Sequence, residues 1–505
     1  MPRSAVLLAV PAALVFTIIV GFSDLGARSL WDDEVWSITC ARMPAAEIWR
    51  VGDPNLSPFY YLLVSAWRGS LGEEEVALRG LSAAGRVCGL LAIAALGAAM
   101  LGARGAGLLA ALYAVSPPVL LYGRELRPYP LLLASACAGL ACLWRAGTTN
   151  RLRWAIAAGV ALLVALMLQY ITLFLLGGLL AAHVVPSLRS RRWALGVALG
   201  VVLLGVLPWA GVFAENFTNL VSAATGREQV PIPFGPPGKA GYALFGLVLG
   251  ETVLPWNWPA MVPAALGSAV LCVLGWRALA DRRDLRAFLV VPLVLAVAAL
   301  SFTMKAGPRY VLVLLPCLLA LFAAGVLGTA PWWLRVGALL AVVVPQAVSE
   351  RNVLAGREYH NMAMVEPSRE VASFLRKEFE EGDVLVYTSS ATPLLYYLEG
   401  LAEPRIFDWS AEAKLDRPSG SETFEEFLAA SEGRTVWWIE RSPGFVPQAG
   451  ALADRARELR ALLMRRGTGS VEWPFGHDPD AAEKRRWVKK EFLDDRILLR
   501  RFDPR

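Results

Sequence analysis

Three carboxylates stand in a row at Asp32-Asp33-Glu34, flanked by Leu30, Trp31, Val35 and Trp36. Such groups suit general-base work on a hydroxyl or amine, or the holding of a cation. A second group, Tyr122-Gly123-Arg124-Glu125-Leu126-Arg127-Pro128-Tyr129, sets one carboxylate between two guanidiniums. A third, Lys305-Ala306-Gly307-Pro308-Arg309-Tyr310, offers two cations and no acid. Arg79 and Arg86 are seven residues apart and share a face if the segment is helical. Guanidiniums match phosphate oxygens in a bidentate geometry. Together these are the parts for transfer from a phosphate leaving group: cations for the departing charge and a carboxylate for the acceptor proton. Each has a plainer reading. Three acids can be a solvated loop start, and an arginine beside a membrane span can simply snorkel to head groups.

No Walker A sequence and no Gly-x-Gly-x-x-Gly fingerprint accompanies these groups, so no nucleotide-bound donor is expected. The six Cys and three His are scattered and resemble no zinc site. The net charge of +6 is too small to argue for nucleic acid.

The elements that hold these residues follow from where charge is missing. The 505 residues are 56% hydrophobic and 18% charged, with a mean hydropathy of +0.48. An ordinary soluble chain carries about 25% charged residues. Residues 350–505 hold 24 Lys/Arg and 28 Asp/Glu, whereas 1–349 hold only 25 and 15. The first part therefore reads as a bundle dissolved in the bilayer, and 350–505 as a water-soluble domain.

A membrane helix needs about 20 mainly apolar residues. Eleven such spans are expected, near 4–22, 80–101, 105–122, 128–145, 154–169, 171–187, 194–213, 259–276, 286–303, 310–328 and 333–349. With the N-terminus inside, the inner segments carry Arg3, Arg104, Arg145, Arg151, Arg153, Arg189, Arg191, Arg192, Arg277, Arg282, Arg283, Arg286 and Arg335, opposed only by Asp281 and Asp284. The first loop, 23–79, has nine acidic and five basic residues and falls outside. The N-terminus is then cytoplasmic and the C-terminal domain extracytoplasmic, and all the acid and cation groups above face outward. Arg86, inside a span, should face protein or water rather than lipid. The Gly- and Pro-broken segment 246–259 reads as a re-entrant stretch lining a lipid-tail groove, or equally as a surface helix.

At this point the chain resembles a known family. Leu30-Trp31-Asp32-Asp33-Glu34, Ser57-Pro58-Phe59-Tyr60-Tyr61 and Ala77-Leu78-Arg79-Gly80-Leu81-Ser82 are similar to the first-loop signature of the GT-C glycosyltransferases. Tyr122–Tyr129 resembles that superfamily's second acidic motif, and Pro308-Arg309-Tyr310 its late arginine-tyrosine motif. The likeness covers about 1–349 and points to the bacterial proteins similar to protein O-mannosyltransferases and to the lipid A aminoarabinose transferase. One departure is Leu56-Ser57-Pro58 where many relatives have His-Pro-Pro.

The resemblance implies a GT-C-like polytopic α-helical membrane enzyme at the cytoplasmic membrane. It would move a sugar from a polyprenyl-phosphate donor to a protein, lipid or glycan acceptor. It implies Asp33 as catalytic base, with Glu34 and Glu125 as the other acids. Arg309, Lys305, Arg127 and Arg79 become ligands of the lipid phosphate, with Tyr129 and Tyr310 beside them. A divalent cation, if one is used, would sit on Asp33 and Glu125. The competing class is a transporter or lipid-linked glycan flippase, which would place paired ionisable groups at mid-membrane in repeated halves.

In 350–505, an amphipathic helix near 367–381, strands at 383–387 and 434–440, a helix through Tyr397, another at 450–466 and a basic hairpin over 487–502 predict a small α/β domain.

Overall fold

Long apolar runs with small residues at helical spacing fold as helices, because a backbone in hydrocarbon must satisfy its own hydrogen bonds. The computed structural model describes residues 3–51, 56–216, 218, 235–301, 308–357, 362–387, 392–400, 405–408, 424–429, 431–441, 467–475 and 497–504. Its helices begin with α1 (Arg3–Phe22), α2 (Asp32–Arg42), α3 (Ala45–Ile48), α4 (Pro58–Leu71), α5 (Glu75–Ala114) and α6 (Pro117–Tyr122). They continue through α7 (Tyr129–Thr149), α8 (Leu152–Leu168), α9 (Thr172–Val184), α10 (Arg192–Val206), α11 (Gly235–Leu249), α12 (Trp258–Ala278) and α13 (Arg283–Ser301). The short α14 (Pro308–Val311), α15 (Leu315–Leu327) and α16 (Trp332–Ala355) follow. Among the described residues, seven segments are long and apolar enough to cross a membrane, and three shorter apolar helices, Leu8–Phe22, Leu152–Leu168 and Thr172–Val184, accompany them. The protein is a multi-pass membrane protein.

Helix α5 spans 40 residues, which unbroken would be about 60 Å, twice the hydrocarbon thickness. Gly102 breaks it, with φ +76° and ψ −170°. The arms then fold against each other so closely that a Cβ on Gly97 would lie 2.5 Å from the Gly105 carbonyl oxygen. Across the arms, the Tyr113 hydroxyl donates to the Arg86 carbonyl (3.2 Å) and Arg86 Nη2 donates to the Ala114 carbonyl (3.0 Å). Arg86 is fully buried in protein, as its place in a span requires. The break expected at Gln169-Tyr170 also occurs, with Gln169 extended between α8 and α9.

Arginines close several helix ends. Arg192 donates to the carbonyls of His183 (2.7 Å) and Val184 (3.0 Å), and Arg282 to that of Met100 (2.6 Å). Arg335 reaches Val326 and Gly328 (2.8 and 2.7 Å). Each pairs a cation with the negative end of a helix dipole.

The chain divides into two compact units, 1–25 with 37–358 and 26–36 with 359–505. The second contains α17 (Ser368–Glu378), α18 (Thr392–Tyr397) and α19 (Phe424–Ala429) with strands β1 (Val384–Tyr387), β2 (Arg405–Asp408), β3 (Val436–Arg441), β4 (Gly467–Phe475) and β5 (Ile497–Pro504). The sheet order is β2-β1-β3-β5-β4, with β1 parallel to β2 and β3, and β5 antiparallel to β3 and β4. Val371 and Leu375 of α17 pack on Leu385, Trp437, Ile439 and Leu499. Of the expected hairpin over 487–502, residues 487–496 lie outside the described residues; β5 pairs with the earlier strand 467–475, whose sequence alternates apolar residues at Val471, Trp473 and Phe475. The expected helix 450–466 lies outside the described residues.

Segment 26–36 is tied into this unit. The Leu30 N–H donates to the Tyr397 hydroxyl (2.7 Å), Ser29 Oγ to Glu370 (3.1 Å), and Arg369 to the Gly26 carbonyl (2.8 Å). Leu30, Trp31 and Val35 are buried, and Trp36 is exposed.

Candidate active site

Asp32, Asp33 and Glu34 form the first turn of α2, where the positive end of the helix dipole favours acids. Glu34 is fully buried and reaches back to accept from the Trp31 N–H at 3.2 Å, the geometry of a capping box. Glu34 therefore anchors the helix start. Asp33 is half-buried. Ser37, one turn later on the same helix face, accepts from Arg127 Nη1 at 3.2 Å.

Arg127 belongs to the turn between α6 and α7, where residues 121–130 are all buried. Ser82 Oγ donates to the Arg127 carbonyl (3.0 Å) and accepts from the Arg127 N–H (3.3 Å), so one hydroxyl fixes the backbone from both sides. Arg124 donates to the carbonyls of Val20 and Asp24 (3.1 and 3.0 Å), closing the end of α1. Arg79, also buried, donates to the Leu25 carbonyl at 2.7 Å and lies 4.0 Å from Glu75. Both arginines are thus tethers of the chain that leaves α1.

The buried chemistry gathers elsewhere in the same unit. The Tyr122 and Tyr129 rings lie 4.9 Å apart, and the Arg127 guanidinium is 5.9 Å from the Tyr129 ring centre. Tyr122 is within electrostatic reach of Glu251, Arg309 and Glu125. Arg309, half-buried at the start of α14, is in turn within reach of Tyr129, Glu251, Tyr310 and Tyr122. Of the residues expected from sequence, Glu125, Tyr129, Arg309 and Tyr310 therefore converge. Lys305 lies outside the described residues.

Glu251 and Tyr122 were not anticipated as site residues. Glu251 is buried, and its Oε2 has no hydrogen-bond partner among the described residues. Its signal was available: it is the one acid in an otherwise apolar, Gly- and Pro-broken stretch. Gly250 adopts φ +70° to end α11 and turn the chain there. Four bonds to α16 hold that turn: Gln346 to the Val248 carbonyl (2.9 Å), Ser349 Oγ to Leu249 (2.5 Å), Thr252 Oγ1 to the Ser349 carbonyl (2.9 Å) and Asn352 to Thr252 (3.0 Å). Gly246 admits α14, since a Cβ there would lie 2.1 Å from Pro308 Cγ. Beside it, α11, α12 and α15 enclose an apolar groove of about 320 Å³ lined by Leu244, Phe245, Val248, Met261, Cys272 and Leu318.

Ser57, in the Leu56-Ser57-Pro58 run, caps α4 by accepting from Phe59 N–H (3.3 Å) and donates to the Met167 carbonyl. Among the described residues no group of three or more His, Cys, Asp or Glu is placed to hold a metal ion.

No protein-family model matches the chain, and no curated protein matches it in sequence. Its fold is nevertheless shared. ArnT from Cupriavidus metallidurans bound to undecaprenyl phosphate matches with a TM-score of 0.59 and 14% identity, over 99% of this chain and 98% of ArnT. The apo form of the same protein gives 0.61 and 15%, over 98% of each chain. The Archaeoglobus fulgidus oligosaccharyltransferase tethered to an acceptor peptide gives 0.55 and 13%, over 94% of this chain and 73% of the other. The chain therefore shares the fold of these two proteins over nearly its whole length, in line with the resemblance that the motifs carry.

Proposed function

We propose that this protein transfers a sugar from a polyprenyl-phosphate donor to an acceptor at the outer face of the cytoplasmic membrane. The observation that carries the reading is the gathering of half-buried Arg309 with buried Glu125, Glu251, Tyr122 and Tyr129 beside an apolar groove, in a bundle with the fold of a protein solved with undecaprenyl phosphate. A guanidinium matches phosphate oxygens in a bidentate geometry. In this reading Arg309 meets the lipid phosphate, and the groove along α11 takes the isoprenoid tail.

In the proposed reaction, Asp33 accepts the proton of an acceptor hydroxyl or amine, whose lone pair attacks the anomeric carbon. The bond from that carbon to the phosphate oxygen breaks, its electron pair leaves with the polyprenyl phosphate, and the anomeric centre inverts. Arg309, with Lys305, holds the growing charge, a contact of the kind worth a few kcal/mol. Glu125 and Glu251 orient the acceptor, and they would help to hold a divalent cation, which would supply positive charge for the leaving phosphate, if one is used. Arg127 positions α2 through Ser37, and Arg79 steadies the loop at Leu25. Eleven crossings serve this reading: the two arms of α5 count separately, and the three shorter apolar helices complete the set.

Transfer from labelled polyprenyl-phosphate sugars in isolated membranes tests it. Asp33→Asn should abolish turnover at unchanged protein level, and near-normal turnover would remove Asp33 as the base. ATP- or gradient-dependent movement of the lipid-linked sugar with no label transfer would favour the flippase instead.

A further inference from the structure

The arginine-bearing end of the bundle holds a second cavity, of about 410 Å³, remote in sequence from the motifs above. It is lined by Val185, Pro186 and Ser187 after α9, by Trp276 of α12, and by Arg283, Arg286, Ala287, Val290 and Val291 of α13. We propose that it binds the head group of an anionic glycerophospholipid.

The charge is the first argument. Neighbouring arginines are engaged by protein: Arg191 by Asp284, Arg192 by the α9 carbonyls, and Arg282 by Met100. Asp284, the acid beside the cavity in sequence, is thereby neutralised. The guanidiniums of Arg283 and Arg286 have no hydrogen bond or ion pair to an acceptor among the described residues, and both residues line the cavity. They lie three apart and share a face of α13. The Arg286 guanidinium sits 4.1 Å over the Trp276 ring, which orients it without consuming its N–H groups. Ser187 Oγ is buried without a hydrogen-bond partner among the described residues and adds a neutral donor to the same wall.

Shape is the second argument. Ala287, Val290 and Val291 extend the face below the two guanidiniums for about 12 Å from Arg283 to Val291. Exposed Val294 and Leu295 continue the apolar surface of α13. Cations above an apolar wall fit an amphiphile, and basic clefts between membrane helices are where acidic lipid head groups dock. A free phosphate would satisfy the arginines and leave the wall unfilled.

Native mass spectrometry of the full-length protein in detergent, with phosphatidylglycerol and phosphatidylcholine of matched chains, tests this. Wild type should retain phosphatidylglycerol about fivefold or more over phosphatidylcholine, as two cations near a membrane surface supply. Arg283→Gln with Arg286→Gln should erase that preference, and the double Lys variant should keep most of it, which separates charge from folding. Equal retention of both lipids by wild type would overturn the proposal, as would an undiminished preference in the Gln variant. Displacement of phosphatidylglycerol by millimolar inorganic phosphate, or tighter retention of a polyprenyl phosphate, would overturn it too.

Discussion

If Arg309 carries the charge of the leaving phosphate, removing the guanidinium should be felt in the transition state more than in binding. Arg309→Ala is expected to lower transfer by about 10²–10³-fold, with Arg309→Lys recovering part of it by charge but not by its bidentate fork. Glu251→Gln keeps the shape of the turn and removes one negative charge from the group around Arg309; a large loss of turnover with intact expression places Glu251 in the reaction. Ser82→Ala removes two buried hydrogen bonds to the Arg127 backbone, a stability cost of about 1–3 kcal/mol. Because Ser82 acts through Arg127, Ser82→Thr should restore activity that Ser82→Ala loses. Residues such as Asp33, Glu125 and Arg309 could be picked out in the sequence because charge is scarce there. Ser82 and Tyr122 could not, since a small hydroxyl or a tyrosine in an apolar run looks the same whether it fills space or fixes a catalytic loop. Glu34 and Arg79, equally conspicuous, also cap a helix and tether a chain, contacts that the sequence alone does not disclose.

At the scale of elements, the α5 hairpin makes a test of close packing against backbone conformation. Gly97→Val puts a side chain into the Gly105 backbone and should sharply lower the yield of folded protein, by thermal unfolding in detergent. Gly102→Ala meets nothing within 4 Å and costs only the positive-φ extended conformation that glycine alone adopts readily, about 1–3 kcal/mol. The first loop carries a pH-sensitive clamp: Arg42 at 2.6 Å, with Arg68, holds the Glu73 carboxyl below its ordinary pKa. A depressed carboxylate stabilises above its unfolded pKa and loses that contribution as pH falls through the folded one. Acid sensitivity of proteolysis in residues 43–74 should therefore diminish in Glu73→Gln. Most helices were readable because apolar length alone decides them. The pairing of β5 with β4 was not, because strand partners distant in the chain leave no local trace.

For the whole molecule, the division between a charge-poor bundle and a charged second unit has a direct topological test. Alkaline phosphatase fused after residue 505 should be active and fused after residue 281 inactive, if the arginine-rich segments face the cytoplasm. The reverse pattern would invert the orientation and remove the outer-face reaction with it.

The arginines that close helix ends have a consequence for biogenesis. If these segments face the cytoplasm, Arg192, Arg282 and Arg335 act as addresses while the chain is being inserted, read by their charge alone before any tertiary contact exists. Once the helices have assembled, the same guanidiniums become fasteners on the carbonyls of His183, Val184, Met100, Val326 and Gly328. Lysine can do the first task and does the second poorly. A triple lysine variant should therefore insert with the correct topology and yet unfold at a lower temperature, separating the moment at which the chain learns which way to face from the moment at which it locks.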